Sequence, residues 1–559
     1  MNVYAFRLIQ ACRDPLGVCR LALAIVVFSA IQFGVGWGGV NAEEPVVLFT
    51  GKVVDSETNE VLAARIYLQK DDGTWFHVRS ANPDGSAVKY DVRRGESNEV
   101  HTTISADPFE VELPAGKYRI VVERGKEYHA LTKDFEMGDQ PQEMTLKLVR
   151  WIDMPARGWY SGETHSHRRL ADTPNLILAE DLNVSFPLTY WVTDSEETPA
   201  ANNKIREAAP KAELIKLDAT HVIWPVNTEY EIFTVRGQRH TLGAVFVLNH
   251  RDVLTLKTPT VKPVAEFANQ QNAFLELDKH NWPWSMMLVP TMHVHLFELS
   301  NNHIWRTKFL FGSWYPEYAA DYMGVEKDAD GNFTERGWID FGFQNYYSLL
   351  NCGFPIQPTG GTASGVHPVP LGFGRAYVYL PDGFSYQAWV DGLKQGRSFV
   401  TTGPMLFATV NGKQPGTKFE SKAGEPLTAE LKIEVASAYP LDSLEVIVNG
   451  QVLRRIDAQS EKTEENSFRT RATLKENFDQ SSWLAVRCFE KRPDERPRFA
   501  HTAPFHFQIA GKPLKPRREE IEYLMKRVAD EIERHQGTLP PEAIDEFKEA
   551  LQVYQRLAK

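Results

Sequence analysis

From Pro45 to about Arg150, apolar and polar positions alternate in short runs broken by turn residues. Residues 46–54 and 63–69 are two such runs, the second followed by Asp71-Asp72-Gly73. After Pro114-Ala115-Gly116, the run Lys117-Tyr118-Arg119-Ile120-Val121-Val122 has a period of two, which puts Tyr118, Ile120 and Val122 on one face. Several short strands at regular spacing predict a β-sandwich over 45–150. The alternation returns over 405–511, in 444–448 ahead of the hairpin dipeptide Asn449-Gly450 and in 483–487, and predicts a second sandwich. Over 516–559 the period changes. Ile521, Leu524, Val528 and Ile532 recur at helical spacing, Gly537 ends the run, and Pro540-Pro541 precede Ile544, Phe547, Leu551 and Tyr554. This predicts an amphipathic αα-hairpin whose two apolar stripes need cover.

Between the sandwiches, over 151–404, apolar strand candidates alternate with helix-compatible stretches at 174–181, 263–270 and 385–394. The strand candidates end in polar, metal-competent residues. The run 185–193 leads to Asp194, 241–249 to His250, and 273–277 to Asp278 with His280 beyond it. Likewise 294–299 leads to Ser300-Asn301-Asn302-His303, and 353–358 to a glycine-rich segment closing on His367. Side chains delivered at successive strand ends are the layout of a β/α barrel site. The expected fold is therefore multidomain: N-terminal β-sandwich, distorted β/α barrel, C-terminal β-sandwich and terminal αα-hairpin.

Composition narrows the partners. The 559-residue chain carries a net charge of −11 and has no basic domain, which excludes nucleic acid as the partner, because such binding depends on neutralising phosphates. Arg7, Arg13 and Arg20 precede an uncharged run over 21–40 that ends Val40-Asn41-Ala42 before Glu43-Glu44. A basic start, an apolar stretch and small residues at −3 and −1 predict a signal peptide over 1–42, and hence a secreted or periplasmic chain. No other segment is apolar enough to span a membrane. Cys352 and Cys488 then remain, and they read as two separate buried thiols, with pairing in an oxidising compartment left open. Oligomeric state is left open.

Ten of the sixteen histidines lie within 151–404, and the sharpest motif there is Gly162-Glu163-Thr164-His165-Ser166-His167. In a strand, residues i and i+2 share a face, so both imidazoles can reach one ion. His293-Val294-His295 has the same spacing but begins its strand. Arg168, Arg169, Arg306 and Arg375 could bind a substrate anion, and Trp282, Trp284, Trp305 and Trp314 could line a pocket or simply pack a core.

These residues carry a resemblance. Residues 158–167, Val192-Thr193-Asp194, Asn301-Asn302-His303, Gly372-Phe373-Gly374-Arg375-Ala376-Tyr377-Val378 and the segment 396–404 resemble the PHP-type metallohydrolases of the CehA/McbA branch. Gly51-Lys52-Val53-Val54-Asp55 and residues 113–118 resemble the carboxypeptidase regulatory-like sandwich, an accessory module. The first resemblance implies a distorted barrel binding one to three divalent ions (zinc, iron or manganese) that hydrolyses an ester, carbamate or phosphoester. It implies His165, His167, Glu229, His240 and His303 as ligands, with Glu231 able to replace Glu229. Two departures stand out: Thr193-Asp194-Ser195 lacks a histidine, and Ala363-Ser364-Gly365-Val366-His367 lacks an aspartate. An ion is then absent, or is held by Asp278, His280 or His367. Asp194 is the candidate ligand or general base beside Glu229, and the substrate a small or glycan-linked molecule. The competing class is a catalytically degenerate barrel that binds a glycan or a protein.

Overall fold

The computed structural model describes residues 44–559 apart from 202, 203, 205, 206 and 458, and the predicted signal peptide lies outside them. In the N-terminal region one sheet orders Gln142–Leu148, Val46–Asp55, Phe109–Pro114 and Arg79–Ser80. The other orders Ala87–Arg94, Ser97–Ile104, Ala64–Lys70, Gly116–Glu123 and Leu131–Met137. The period of two is realised: Tyr118, Ile120 and Val122 are buried with Phe49, Leu68 and Leu113, while Lys117 and Arg119 are exposed.

The middle region is built on two sheets rather than one ring of parallel strands. One orders Tyr190–Asp194, Thr228–Val235, Gln238–Leu248, Phe274–Leu277, Leu296–Ser300 and Gln357–Gly360. The other includes Val184–Pro187, Trp159–Ser166, Arg375–Tyr379 and Ser398–Thr401 in that order. The strand expected over 185–193 is thus two strands in different sheets, parted after Pro187, which has no N–H to donate to a ladder. The sheets meet where Thr362 and Ala363 donate their N–H groups to the His165 carbonyl and His167 donates to that of Ser364. A single apolar cluster spans both, with Phe186 and Val378 from one sheet and Phe246, Leu275 and Leu296 from the other.

Strand direction also departs from the expected barrel. Thr228–Val235 and Gln238–Leu248 are antiparallel, joined by Arg236-Gly237, both with positive φ (51° and 72°). A two-residue turn of that kind makes a hairpin, whereas parallel neighbours need a crossover of a dozen residues or more. Glu229 consequently sits at the start of its strand, not at its C-terminal end.

Ser398–Thr401 pairs with Phe499–Thr502, so this second sheet continues into the C-terminal sandwich through Ser482–Glu490 and Leu441–Val448. Its facing sheet is Met405–Val410, Leu427–Ser437, Phe468–Phe478 and Glu461–Lys462. Asn449 and Gly450 (φ 48° and 81°) form the predicted hairpin turn, with Val448 opposite Gln451. Cys352 and Cys488 are free and buried. No described helix is long and apolar enough to cross a membrane. The C-terminal helices Arg518–His535 and Pro541–Leu557 pack on the middle region, as the two apolar stripes required.

The strand carrying the His-x-His motif is fixed from behind. Trp389, in helix Tyr386–Lys394, donates its Nε1–H to the Tyr160 carbonyl (2.9 Å) and packs against Gly162, where a Cβ would fall 2.2 Å from the indole. Gly162→Ala must push the indole or the strand aside. It is expected to cost about 1–3 kcal/mol, the usual range for overpacking, read as a lower midpoint of chemical denaturation.

Candidate metal centre

His165 is the penultimate residue of Trp159–Ser166, and His167 lies just past its end. Both are buried, with ring centroids 5.2 Å apart and planes nearly perpendicular. Glu229, from the Thr228–Val235 strand of the other sheet, brings a carboxylate oxygen to 3.2 Å from His167 Nε2. One donor atom from each of His165, His167 and Glu229 lies within 4.8 Å of the other two, and the same holds for His165, Asp278 and Glu298. In the second group His165 Nδ1 is 2.8 Å from Glu298 Oε2 and 3.6 Å from Asp278 Oδ1. A histidine whose Nδ1–H donates to a carboxylate presents Nε2 to an ion in a fixed orientation. Glu298 was not anticipated. Its signal was a glutamate inside the apolar run Leu296-Phe297-Glu298-Leu299, and Glu276 in Phe274–Leu277 is a second case.

The donor set suits a divalent cation. His165 Nε2, His167 Nδ1, Glu229 Oε1, Asp278 Oδ1 and Glu298 Oε1 are buried without a hydrogen-bond partner among the described residues. Buried polar groups are rarely left in that state. Burial pushes the Glu229 carboxyl up to about 7, and burial with the neighbouring Asp278 takes Glu298 well above the carboxylate range. In both, desolvation outweighs the positive charge nearby, Lys204 and Lys279 for Glu229 and Lys279 for Glu298, so the carboxylates can still draw a cation. Burial, with nearby His167 and the lysines, holds His165 well below the usual histidine range, so it is neutral as metal ligation requires.

Two lysines enter the same cluster, and neither was anticipated. Lys204 Nζ is 3.0 Å from His167 Nε2, 3.3 Å from Glu229 and 3.5 Å from Glu231. Lys279 Nζ pairs with Asp278 and lies 3.2 Å from Glu231. Burial works to raise Glu231, but Lys279 and Lys204 outweigh it and hold its carboxyl below the ordinary value. Glu229 and Glu231 do share a strand face, so both meet the cluster.

The cluster forms one wall of a cavity of about 670 Å³. His303 and His367 line it too, their rings 5.8 Å apart, and Trp282 and Trp314 add an aromatic surface. Trp284 and Trp305 are fully buried core residues instead. The N-terminal sandwich, in which the sequence suggested no chemistry, also reaches the cavity. Arg94 and Gly95 line it, with Arg94 Nη1 3.3 Å from His367 Nδ1, and Tyr90 Oη donates to the His367 carbonyl (2.5 Å). The arginines singled out from sequence are engaged elsewhere: Arg168 over the Tyr90 ring, Arg169 with Glu207, Arg306 with Glu99, and Arg375 on the carbonyls of Gly372 and Glu180.

Three expected site residues are not brought to the cluster. His240 Nε2 is 2.8 Å from Nδ1 of His535 in the C-terminal hairpin, because the long antiparallel strand carries its N-terminal end away from the cavity. Asp194 accepts hydrogen bonds from Thr234 Oγ1 (2.6 Å) and the N–H of Gly237 (2.7 Å), so it braces the Arg236-Gly237 turn. His280 lies in an aromatic layer, parallel to Phe297 at 5.8 Å and beside Trp338 and Phe341. His293 follows helix Ser285–Met292, and His295 Nδ1 accepts the Leu275 N–H, so the second His-x-His is structural.

Neither a protein-family profile nor a curated protein sequence matches the chain. Some solved structures do. The C-terminal domain of the shaft pilin SpaA from Lactobacillus rhamnosus GG is 19% identical over 19% of this chain and 99% of that domain, with a TM-score of 0.14. Against a longer structure of the same pilin, the match covers 20% of this chain and 50% of that one, at 19% identity and a TM-score of 0.15. A two-domain protein from Bacteroides vulgatus, containing a predicted PHP-like metal-dependent phosphoesterase, is 10% identical over 62% of this chain and 94% of its own, with a TM-score of 0.27. Similarity this low transfers no fold or activity, and the reading rests on the site.

Proposed function

We propose that the chain is an exported, metal-dependent hydrolase of an ester, carbamate or phosphoester in a small or glycan-linked substrate. The observation that carries this reading is the convergence of His165, His167 and Glu229, with buried and unpartnered donor atoms, on the wall of a cavity of about 670 Å³. The motif resemblance and the signal-peptide pattern agree with it. A divalent ion there supplies a Lewis acid and a water of lowered pKa. His165, His167 and Glu229 would hold it, and Glu298 orients His165. Lys204, on the same wall and partly exposed, turns an ammonium group to the cavity, where it can bind an anionic oxygen. Burial first, and nearby cations second, hold His303 and His367 neutral, so both present uncharged imidazoles to the cavity. Asp194 is no longer the candidate base, since its carboxylate is committed to a turn.

The test is metal content per chain, followed by a hydrolysis screen over chromogenic esters, carbamates and phosphoesters. At least one equivalent of zinc, iron or manganese together with turnover is expected. Less than half an equivalent after incubation with all three would favour the second reading, a non-catalytic binding module. The lysines paired with the site's own carboxylates are the observation on its side.

Arg94 is the N-terminal sandwich's contribution to recognition. Arg94→Ala is expected to raise KM about tenfold, corresponding to about 1.4 kcal/mol, with kcat little changed, the pattern of lost uniform binding. An unchanged KM would mean that the sandwich only walls the cavity.

A further inference from the structure

We infer that the centre holds a single divalent ion, because the Lys279 ammonium is built into the place of a second cation; the inference rests on the metal-centre reading above. Lys279 follows the Phe274–Leu277 strand by two residues, and its side chain is 3% exposed. Its Nζ meets three carboxylates: Asp278, just past the Phe274–Leu277 strand, and Glu231 at 3.2 Å and Glu229 at 3.8 Å from the Thr228–Val235 strand. Two groups of donors could hold an ion, and they differ in their access to the cavity. In the group of His165, Asp278 and Glu298, His165 Nδ1 faces Glu298 Oε2 and Asp278 Oδ2 pairs with Lys279, so a fixed ammonium stands against one of its carboxylates. In the group of His165, His167 and Glu229, all three residues line the cavity, which Asp278 and Glu298 do not, and His165 Nε2, His167 Nδ1 and Glu229 Oε1 have no hydrogen-bond partner among the described residues.

Electrostatics points the same way. A fixed ammonium already compensates the carboxylates that would draw a second ion, and two cations a few ångströms apart repel strongly where water cannot screen them. An ammonium can donate hydrogen bonds and offset negative charge, but it cannot accept an electron pair from water or substrate. Lys279 therefore contributes charge without Lewis acidity. Lys204 is a different case. Its side chain is 12% exposed and lines the cavity, so its ammonium can turn to solvent when an ion takes the donors it now contacts.

The experiment is equilibrium dialysis of the full-length protein against zinc or manganese, with metal per chain read by plasma mass spectrometry. Wild type is expected to hold about one ion. Lys279→Ala frees Asp278 and Glu231 and is expected to hold about two, while Lys279→Arg, which keeps the charge, stays at about one. Lys279→Met repeats the charge removal with the aliphatic stem in place, should the alanine variant fold poorly by circular dichroism. Two ions in wild type, or one in a folded charge-removal variant, overturns this inference and leaves the hydrolase reading standing. No ion in wild type overturns both.

Discussion

Alanine at His165 or His167 is expected to strip the bound ion, abolish hydrolysis and leave the circular dichroism spectrum unchanged. Each substitution removes one of three donors that converge within 4.8 Å, and the remaining pair cannot complete a binding site. The fold should tolerate it, because the main-chain bonds that join the two sheets, from Thr362 and Ala363 to the His165 carbonyl and from His167 to that of Ser364, are kept. Glu229→Gln keeps the shape but removes the charge that offsets the cation, and should weaken retention more than it disturbs folding. Glu298→Gln leaves every atom of the three-donor group in place yet weakens the acceptor that orients His165, so a loss of about 10–100-fold in metal affinity is expected. His240→Ala is the control. The family resemblance makes His240 a ligand, whereas the fold places it against His535, so this variant should keep its metal. If the His165 and His167 variants hold as much metal as the His240 variant, the ion lies elsewhere or is absent.

The sequence made parts of this centre readable and hid others for identifiable reasons. His165 and His167 were legible because strand geometry alone puts i and i+2 on one face. Glu229 came only through the resemblance, which cannot be derived from spacing. His240 was misplaced by the same route: the resemblance assigned a ligand to a stretch that the turn at Arg236-Gly237 folds away from the cavity. Read as a type I′ hairpin, that dipeptide would have signalled the reversal. Lys204 and Lys279 carry no local signal at all. A lysine after a strand is usually a solvated residue, and only the juxtaposition of two strands and a loop shows that these two face carboxylates. Arg94 is hidden more deeply, since it lies in a different sandwich, far from the metal motif in sequence. The sandwiches themselves were the easiest elements to read, because period-two burial is written directly into residues such as Tyr118, Ile120 and Val122.

Deleting residues 512–559 is expected to unfold the middle region or lower its melting temperature drastically, although the hairpin supplies none of the three converging donors. Ile521, Leu524, Val528, Phe547 and Tyr554 are buried in the same apolar cluster as the middle region. Burying one such side chain is worth about 1.5–3 kcal/mol, so exposing the surface under all five rivals the whole margin of about 5–15 kcal/mol by which domains are stable. Polar contacts add to the loss. Tyr554 Oη donates to the Met286 carbonyl (2.7 Å), within helix Ser285–Met292. The Glu546 carboxylate accepts the N–H groups of Val261 (2.7 Å) and Lys262 (3.1 Å), capping helix Lys262–Gln270 from outside the segment. Arg527 Nη2 donates to the carbonyl of Trp282, a cavity-lining residue, so the deletion should reach the site even in molecules that stay folded. A milder variant separates the two effects. Glu546→Gln keeps the shape and one good acceptor, and should cost no more than about 1.5–3 kcal/mol, the worth of a hydrogen bond to a charged group. An unchanged melting curve for the truncated chain would mean that the hairpin packs without stabilising, and the surface it covers would then have to be stable in water by itself.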